Sequence, residues 1–167
     1  MRVNLSQLSY RQVSFGLFLA SVAGMAFALY LQHGVGLEPC PLCVFQRVGL
    51  MGVGLFALIA AIHNPQALWL RRVYAGLAGL SILWSTGVAA RHVWLQHLPP
   101  EDVPACGPGL DYWLDVFPMK EVIQKVLHGS GECAVIDWTF LGLSLPTLSA
   151  AFFSVLLVGC VWQVVRR

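Results

Sequence analysis

Four long stretches almost free of charge decide what this chain can fold into. Crossing the hydrocarbon core of a bilayer takes roughly 20 apolar helical residues. Stretches near that length occupy residues 13–31, 41–62, 73–90 and 143–165. Only the second contains a charge, Arg47, close to its start. A water-soluble fold would have to cover 57% hydrophobic residues with 11% charged ones, which leaves too little polar surface. The expected fold is all-α: one domain over residues 1–167, an integral membrane four-helix bundle in the lipid bilayer. Glycines inside the stretches, such as Gly24, Gly52 and Gly79, let membrane helices approach closely. The first stretch is longer than a signal-peptide core and no small-residue cleavage pattern follows it, so it reads as a retained span.

Four spans put both termini on one side, and loops rich in Lys and Arg stay inside. Arg2, Arg11, Arg71, Arg72, Arg166 and Arg167 lie on the side of the termini. Arg91, Lys120 and Lys125 lie on the other, with Arg47 at that membrane edge. All eight acids, from Glu38 to Asp137, also fall on that second side. The termini and the loop 63–72 are thus expected in the cytoplasm, and the loops 32–40 and 91–142 outside. Cys40, Cys43, Cys106 and Cys133 share the outer, oxidising side, where disulfides form and persist. Cys160, in the inner half of the fourth stretch, reads as a small packing residue.

The long outer loop has a pattern of its own. Four prolines between Leu98 and Pro108 predict extended chain. Leu110, Trp113, Leu114 and Phe117 then recur at helical spacing. They predict a short helix, either lying in the membrane interface or packed as an apolar patch on the spans. Residues 119–128 form a further candidate helix before Gly129-Ser130-Gly131.

Cys40-Pro41-Leu42-Cys43 stands where the second helix begins. Pro41 suits the first helical position, because it has no N–H to leave unpaired there. Cys40 is then near the N-cap and Cys43 in the first turn, where the positive end of the helix dipole favours a thiolate. Arg47 follows Cys43 by one turn on the same face and adds a positive charge. An arginine inside the edge of a span marks function by default, and the competing reading is a side chain snorkelling to the headgroups. Between Cys106 and Cys133 lie 26 residues. A disulfide there would close the loop, worth about 3–4 kcal/mol in the chain-entropy account, so a structural staple is one reading. Redox work is the other: Cys106 sits in the exposed segment Pro104-Ala105-Cys106-Gly107-Pro108, and Cys133 follows Gly131-Glu132 on a stretch able to carry it toward Cys40. The residues alone leave both open.

Several chemistries are excluded. The net charge of +2 comes without a basic run, so no nucleic-acid partner is expected. Attached c-type haem needs His directly after the second Cys, where Val44 stands. The histidines lie at span ends or in loops, unsuited to pairing on haem b. An oxidising compartment and the wide second spacing argue against a closed four-cysteine zinc site, and no metal is expected.

These residues together resemble the DsbB family, bacterial inner-membrane proteins of quinone-dependent disulfide bond formation. The resemblance covers nearly the whole chain. It is carried by Glu38-Pro39-Cys40-Pro41-Leu42-Cys43 with Arg47, by His92 and Gln96 past the third span, and by Cys106. Gly131-Glu132-Cys133-Ala134 and Trp138-Thr139-Phe140-Leu141-Gly142-Leu143 with Pro146 complete it. Gln46 departs from the family, which commonly has an acid before the arginine, so Arg47 lacks that charge partner.

The resemblance implies an enzyme, a protein-disulfide:quinone oxidoreductase of the bacterial inner membrane, with the cysteine loops in the periplasm and a short interfacial helix in the second. Its catalytic residues would be Cys40, Cys43, Cys106 and Cys133, paired at rest as Cys40–Cys43 and Cys106–Cys133. Cys106 would be attacked by a DsbA-like periplasmic thiol oxidase. Cys133 would then engage Cys40, and Cys43 would face a quinone of the membrane pool, ubiquinone or alternatively menaquinone. Arg47, His92, Gln96, Leu143 and Leu145 would be its neighbours. Two other functions compete. A relative of vitamin K epoxide reductase would usually carry its CxxC in the last helix rather than at the start of the second. A non-enzymatic four-helix assembly protein with one stapled loop would leave Cys40 and Cys43 incidental.

Overall fold

The computed structural model describes residues 9–165, and four of its helices are long and apolar enough to cross a membrane. They are α1 (Tyr10–His33), α2 (Pro41–His63), α3 (Leu68–Leu95) and α7 (Leu145–Val165). Short elements α4 (Leu110–Val116), α5 (Met119–His128), α6 (Gly131–Ala134), β1 (Thr139–Phe140) and β2 (Leu143–Ser144) fill the connection between α3 and α7. Arg2, Arg166 and Arg167, which enter the charge asymmetry, lie outside the described residues.

Local chemistry sets the helix ends. Ser9 and Gln12 form a capping box that satisfies amides at the start of α1. Pro41 is the first residue of α2, and Asn64, in the left-handed region at φ 40°, ends it. Helix α3 outruns the uncharged stretch at both ends, because its arginines cap neighbouring backbone. Arg71 donates from Nε to the Pro65 carbonyl at 2.7 Å, and Arg91 donates to the carbonyls of Leu127 and His128. The second of these ties the end of α5 to α3. The fourth uncharged stretch instead splits. Leu143 and Ser144 form a strand with Thr139 and Phe140, closed by a turn with φ 51° at Leu141 and 81° at Gly142. Helix α7 begins only at Leu145, with Pro146 in its first turn, where a missing N–H costs nothing.

Helix α3 packs along α2 and α7, and α1 packs along α2. Leu17, Leu50, Val53, Ile82, Phe153 and Leu156 form the centre of the bundle. Small residues bring α2 and α3 close. A methyl at Gly49 would lie 2.7 Å from the Ser81 carbonyl, and Ser85 Oγ donates to the Gln46 carbonyl at 2.9 Å. This hydrogen bond between helices fixes the height of α2 on α3. Outward faces carry Ile62, Leu80, Val155 and Val158, all well exposed, a surface suited to lipid. At the end bearing residue 10, Gln163 Nε2 donates to Ser14 Oγ and to the Tyr10 carbonyl, while Tyr10 Oη donates to the Arg71 carbonyl. Polar side chains thus clamp α1, α3 and α7 there.

The opposite end holds a second apolar cluster: Leu42, Val88, Leu95, Trp113, Val122, Val126 and Cys133. The stripe on α4 divides between its two predicted roles. Trp113 is buried in this cluster with Leu110 and Phe117 against it, whereas Tyr112, Leu114 and Val116 stay exposed. One face of the helix packs on the bundle and the other remains free for lipid or water.

Candidate functional site

The helix start at Pro41 builds the first part of the site. Cys40 occupies the N-cap in extended backbone, and its sulfur accepts the Cys43 amide at 3.4 Å. A sulfur thus does the work an oxygen usually does at this position. The same geometry brings Cys40 Sγ and Cys43 Sγ to 3.0 Å. All five cysteines are free thiols in this structure.

His92 comes to the pair from α3. Its Nε2 lies 3.8 Å from Cys40 Sγ and its Nδ1 3.9 Å from Cys43 Sγ. Only 3% of the residue is exposed, so the imidazole is held against both sulfurs. Gln46 fixes it from the other side, with Nε2 at 3.4 Å from Nδ1. In the sequence Gln46 was visible only as a departure from a family pattern. Its spacing from Cys43, three residues along one helix face, was the signal that it would share the site.

Cys133 joins the same cluster and is fully buried. Its thiol is pulled down to about 6. A hydrogen bond from the Cys40 thiol is the largest cause, and the amides of Ser130 and Leu42 add to it against the cost of burial. The Leu42 amide belongs to the first turn of α2, so the start of one helix stabilises thiolate on a sulfur from a distant loop. Cys106, by contrast, is exposed. It rests over Gly131: a methyl there would lie 2.8 Å from Cys106 Sγ and 2.9 Å from the Pro104 carbonyl. The Gly131 amide donates to the Ala105 carbonyl at 3.4 Å. The sequence grouped Cys133 with Cys106. The structure sets it beside both: its sulfur at Cys40, and its own short helix under Cys106.

Cys43 borders two cavities of different size. One, of about 360 Å³, lies between α1, α2 and α7. Gly24, Phe27, Leu31, Leu50, Leu145, Pro146 and Phe152 give it apolar walls, and Arg47, Cys43, Glu38, Gln46 and Ser149 supply its polar groups. Gly24 is part of the cradle, because a methyl there would lie 2.8 Å from the Phe152 ring. Arg47 donates to Gln32 Oε1 and to the Ala28 carbonyl, which anchors the guanidinium on α1. An apolar ring carrying an oxygen acceptor fits this combination. The other cavity, about 60 Å³, sets Cys40, Cys43, His92, Gln96, Glu38, Glu132 and Asp137 among the apolar Leu37, Val135, Ile136, Trp138, Leu145 and Pro146. Ser144 donates to Gln96 Oε1 at 2.7 Å, linking the hairpin to the end of α3. Of the expected ring neighbours, Arg47 and Leu145 line the apolar cavity, and His92, Gln96 and Leu145 line the smaller one. Leu143, exposed in β2, lines neither.

Comparison with known proteins bears on this geometry. The family model described as Disulfide bond formation protein DsbB matches residues 10–163. A protein of Acinetobacter baumannii named Disulfide bond formation protein B is 66% identical over 160 residues, covering 96% of this chain and 94% of its own. Proteins of the same name are 53% identical in a Psychrobacter species, over 96% of each chain, and 49% identical in Saccharophagus degradans, over 95% of each.

Proposed function

The chain belongs to the DsbB family of disulfide bond formation proteins, and on that premise we propose that it is a thiol–quinone oxidoreductase with its four loop-side cysteines in series. Its partner is a DsbA-like dithiol oxidase, and its electrons pass to the membrane quinone pool. Linkage of DsbA, DsbB and quinone is the established way in which the bacterial periplasm is kept oxidising. The chain then sits in the inner membrane with both termini in the cytoplasm, as the loop charges favour.

The observation that carries this reading is the position of Cys43. It touches Cys40 and His92 on one side and, on the other, an apolar cavity edged by Arg47. A loop staple would need neither a second thiol pair nor a buried histidine beside it.

The steps follow from thiol exchange. A thiolate of the reduced partner attacks Cys106 Sγ, the exposed sulfur of a Cys106–Cys133 disulfide. A mixed disulfide forms and Cys133 leaves as thiolate, a form its surroundings favour. Cys133 attacks Cys40 Sγ of a Cys40–Cys43 disulfide, and the Cys43 thiolate is released. The partner's second thiol resolves the mixed disulfide and frees Cys106. Return of both pairs to disulfides gives up two electrons and two protons. The cavity residues would hold a quinone, which would supply the two-electron acceptor and take up both protons. Arg47 would hold its oxygen and favour negative charge there, and His92 can hold or pass a proton at either sulfur. Ubiquinone is the proposed acceptor, with menaquinone as the alternative.

The test uses purified full-length protein in detergent, a reduced DsbA-like oxidase and a soluble ubiquinone analogue. Quinone absorbance should fall in step with oxidation of the partner. No quinone-dependent oxidation would overturn the proposal.

A further inference from the structure

We propose that the reduced form of this protein binds a single thiophilic divalent metal ion between Cys40, Cys43 and His92, and is held by it in the dithiol state. One donor atom from each of the three lies within 4.8 Å of the others. The sulfurs are 3.0 Å apart; Cys40 Sγ lies 3.8 Å from His92 Nε2 and Cys43 Sγ 3.9 Å from Nδ1, so the nitrogen that serves as ligand is near one sulfur and within 4.8 Å of the other. Tetrahedral zinc, with bonds of about 2.3 Å to sulfur and 2.0–2.1 Å to nitrogen, needs donors roughly 3.4–3.8 Å apart. The cluster therefore closes on an ion with shifts of about an ångström in the sulfur and ring positions.

Three further features fit an ion. Gln46 lies at 3.4 Å from Nδ1 of His92, as the outer hydrogen-bond partner of a metal-bound imidazole does. With Nε2 on the metal, Nδ1–H would donate to the Gln46 side-chain oxygen after rotation of the amide. The smaller cavity gives a route in, and Glu38, Glu132 and Asp137 on its wall attract cations. The charge also balances, since a divalent ion displaces the two thiol protons of Cys40 and Cys43 and leaves a neutral centre at the lipid edge. No electrons move in this step. A disulfide between Cys40 and Cys43 removes both thiolates, so the oxidised protein has no such site.

The probe is Co²⁺ added to full-length protein reduced and freed of reductant, with Zn²⁺ as competitor. One Co²⁺ per chain should bind with a sulfur-to-metal charge-transfer band, be displaced by Zn²⁺, and be absent from quinone-oxidised protein. His92→Ala should weaken Co²⁺ binding at least about tenfold, and Gln46→Ala should weaken it about 10- to 100-fold, the range for outer-shell partners. Gln46 is not a ligand, so its effect would persist if the buried histidine variant did not fold. Cys106→Ser should bind Co²⁺ as the parent does. A reduced parent protein without the band, an equal band in the oxidised protein, or loss of the band in Cys106→Ser would each overturn the proposal.

Discussion

Replacing Gly131 by alanine tests how closely the two halves of the long loop are fitted. The new methyl would lie 2.8 Å from Cys106 Sγ, 2.9 Å from the Pro104 carbonyl and 3.3 Å from the Cys106 amide nitrogen. The sulfur can rotate away, but the carbonyl is backbone and must move with its segment. Such overpacking costs roughly 1–3 kcal/mol. The strain falls on the contact that holds Cys106 beside the helix of Cys133, because the Gly131 amide bond to the Ala105 carbonyl is already long at 3.4 Å. At about 1.4 kcal/mol per tenfold, the disulfide between Cys106 and Cys133 should lose roughly 5- to 150-fold in its equilibrium with glutathione. The assay uses a Cys40→Ser, Cys43→Ser background, so that only this pair exchanges. Glutathione buffers set the potential, acid stops exchange, and alkylated species are counted by mass. Circular dichroism should report unchanged helix. A shift below about twofold would refute the reasoning, because the packing would then not govern the pair.

Other expectations concern the cavity and the buried thiol. Arg47→Ala should raise the apparent KM for a ubiquinone analogue roughly 10- to 100-fold, the worth of a hydrogen bond to a charged group, while Cys106 and Cys133 still pair. Equal KM values would return Arg47 to a headgroup anchor. Gly24→Leu should drive a side chain against Phe152 and into the apolar cavity, so that quinone-dependent turnover falls while exchange with the partner dithiol survives. Turnover within about twofold of the parent would count against the cavity as the quinone site. In reduced Cys43→Ser, Cys106→Ser protein, thiolate absorbance should rise near pH 6 from Cys133, and Cys40→Ala should move that step upward. The sign follows from a lowered value: the stabilisation is full above the ordinary thiol value of 9.0 and is lost as pH falls through about 6. A step at the ordinary value in the presence of Cys40 would contradict the hydrogen bond.

Much of this was legible in the sequence because membrane spans obey a simple rule of length and charge. The start of α2 could be read to the residue, since Pro41 has one comfortable place in a helix. The helix over 119–128 was equally legible from spacing and the glycines after it. The hairpin before α7 was not. Leu143 and Ser144 belong to an uncharged run, and composition cannot separate a two-residue strand from the first turn of a helix. At the site, the four cysteines and Arg47 stood out by type and spacing. The link of Cys133 to Cys40 was implied by the resemblance, but the place of His92 against both sulfurs was not legible, because it depends on the packing of α3 on the start of α2. Gly131 and Gly24 act by lacking a side chain, and only a neighbour's position reveals such a role.

Cys43 is part of a wall shared by two compartments, with Leu37, Glu38, Leu145 and Pro146, as much as it is a member of a pair. It lines an oily chamber on one side and, on the other, a small niche that Glu132 and Asp137 edge. On the proposed mechanism, reducing equivalents would change medium at Cys43 while the carriers stay on either side of it. A quinone is an electrophile, and an exposed thiol such as Cys106 would be open to it in a shared space. On the proposed mechanism this shared wall would work as insulation, permitting the current and preventing the short circuit.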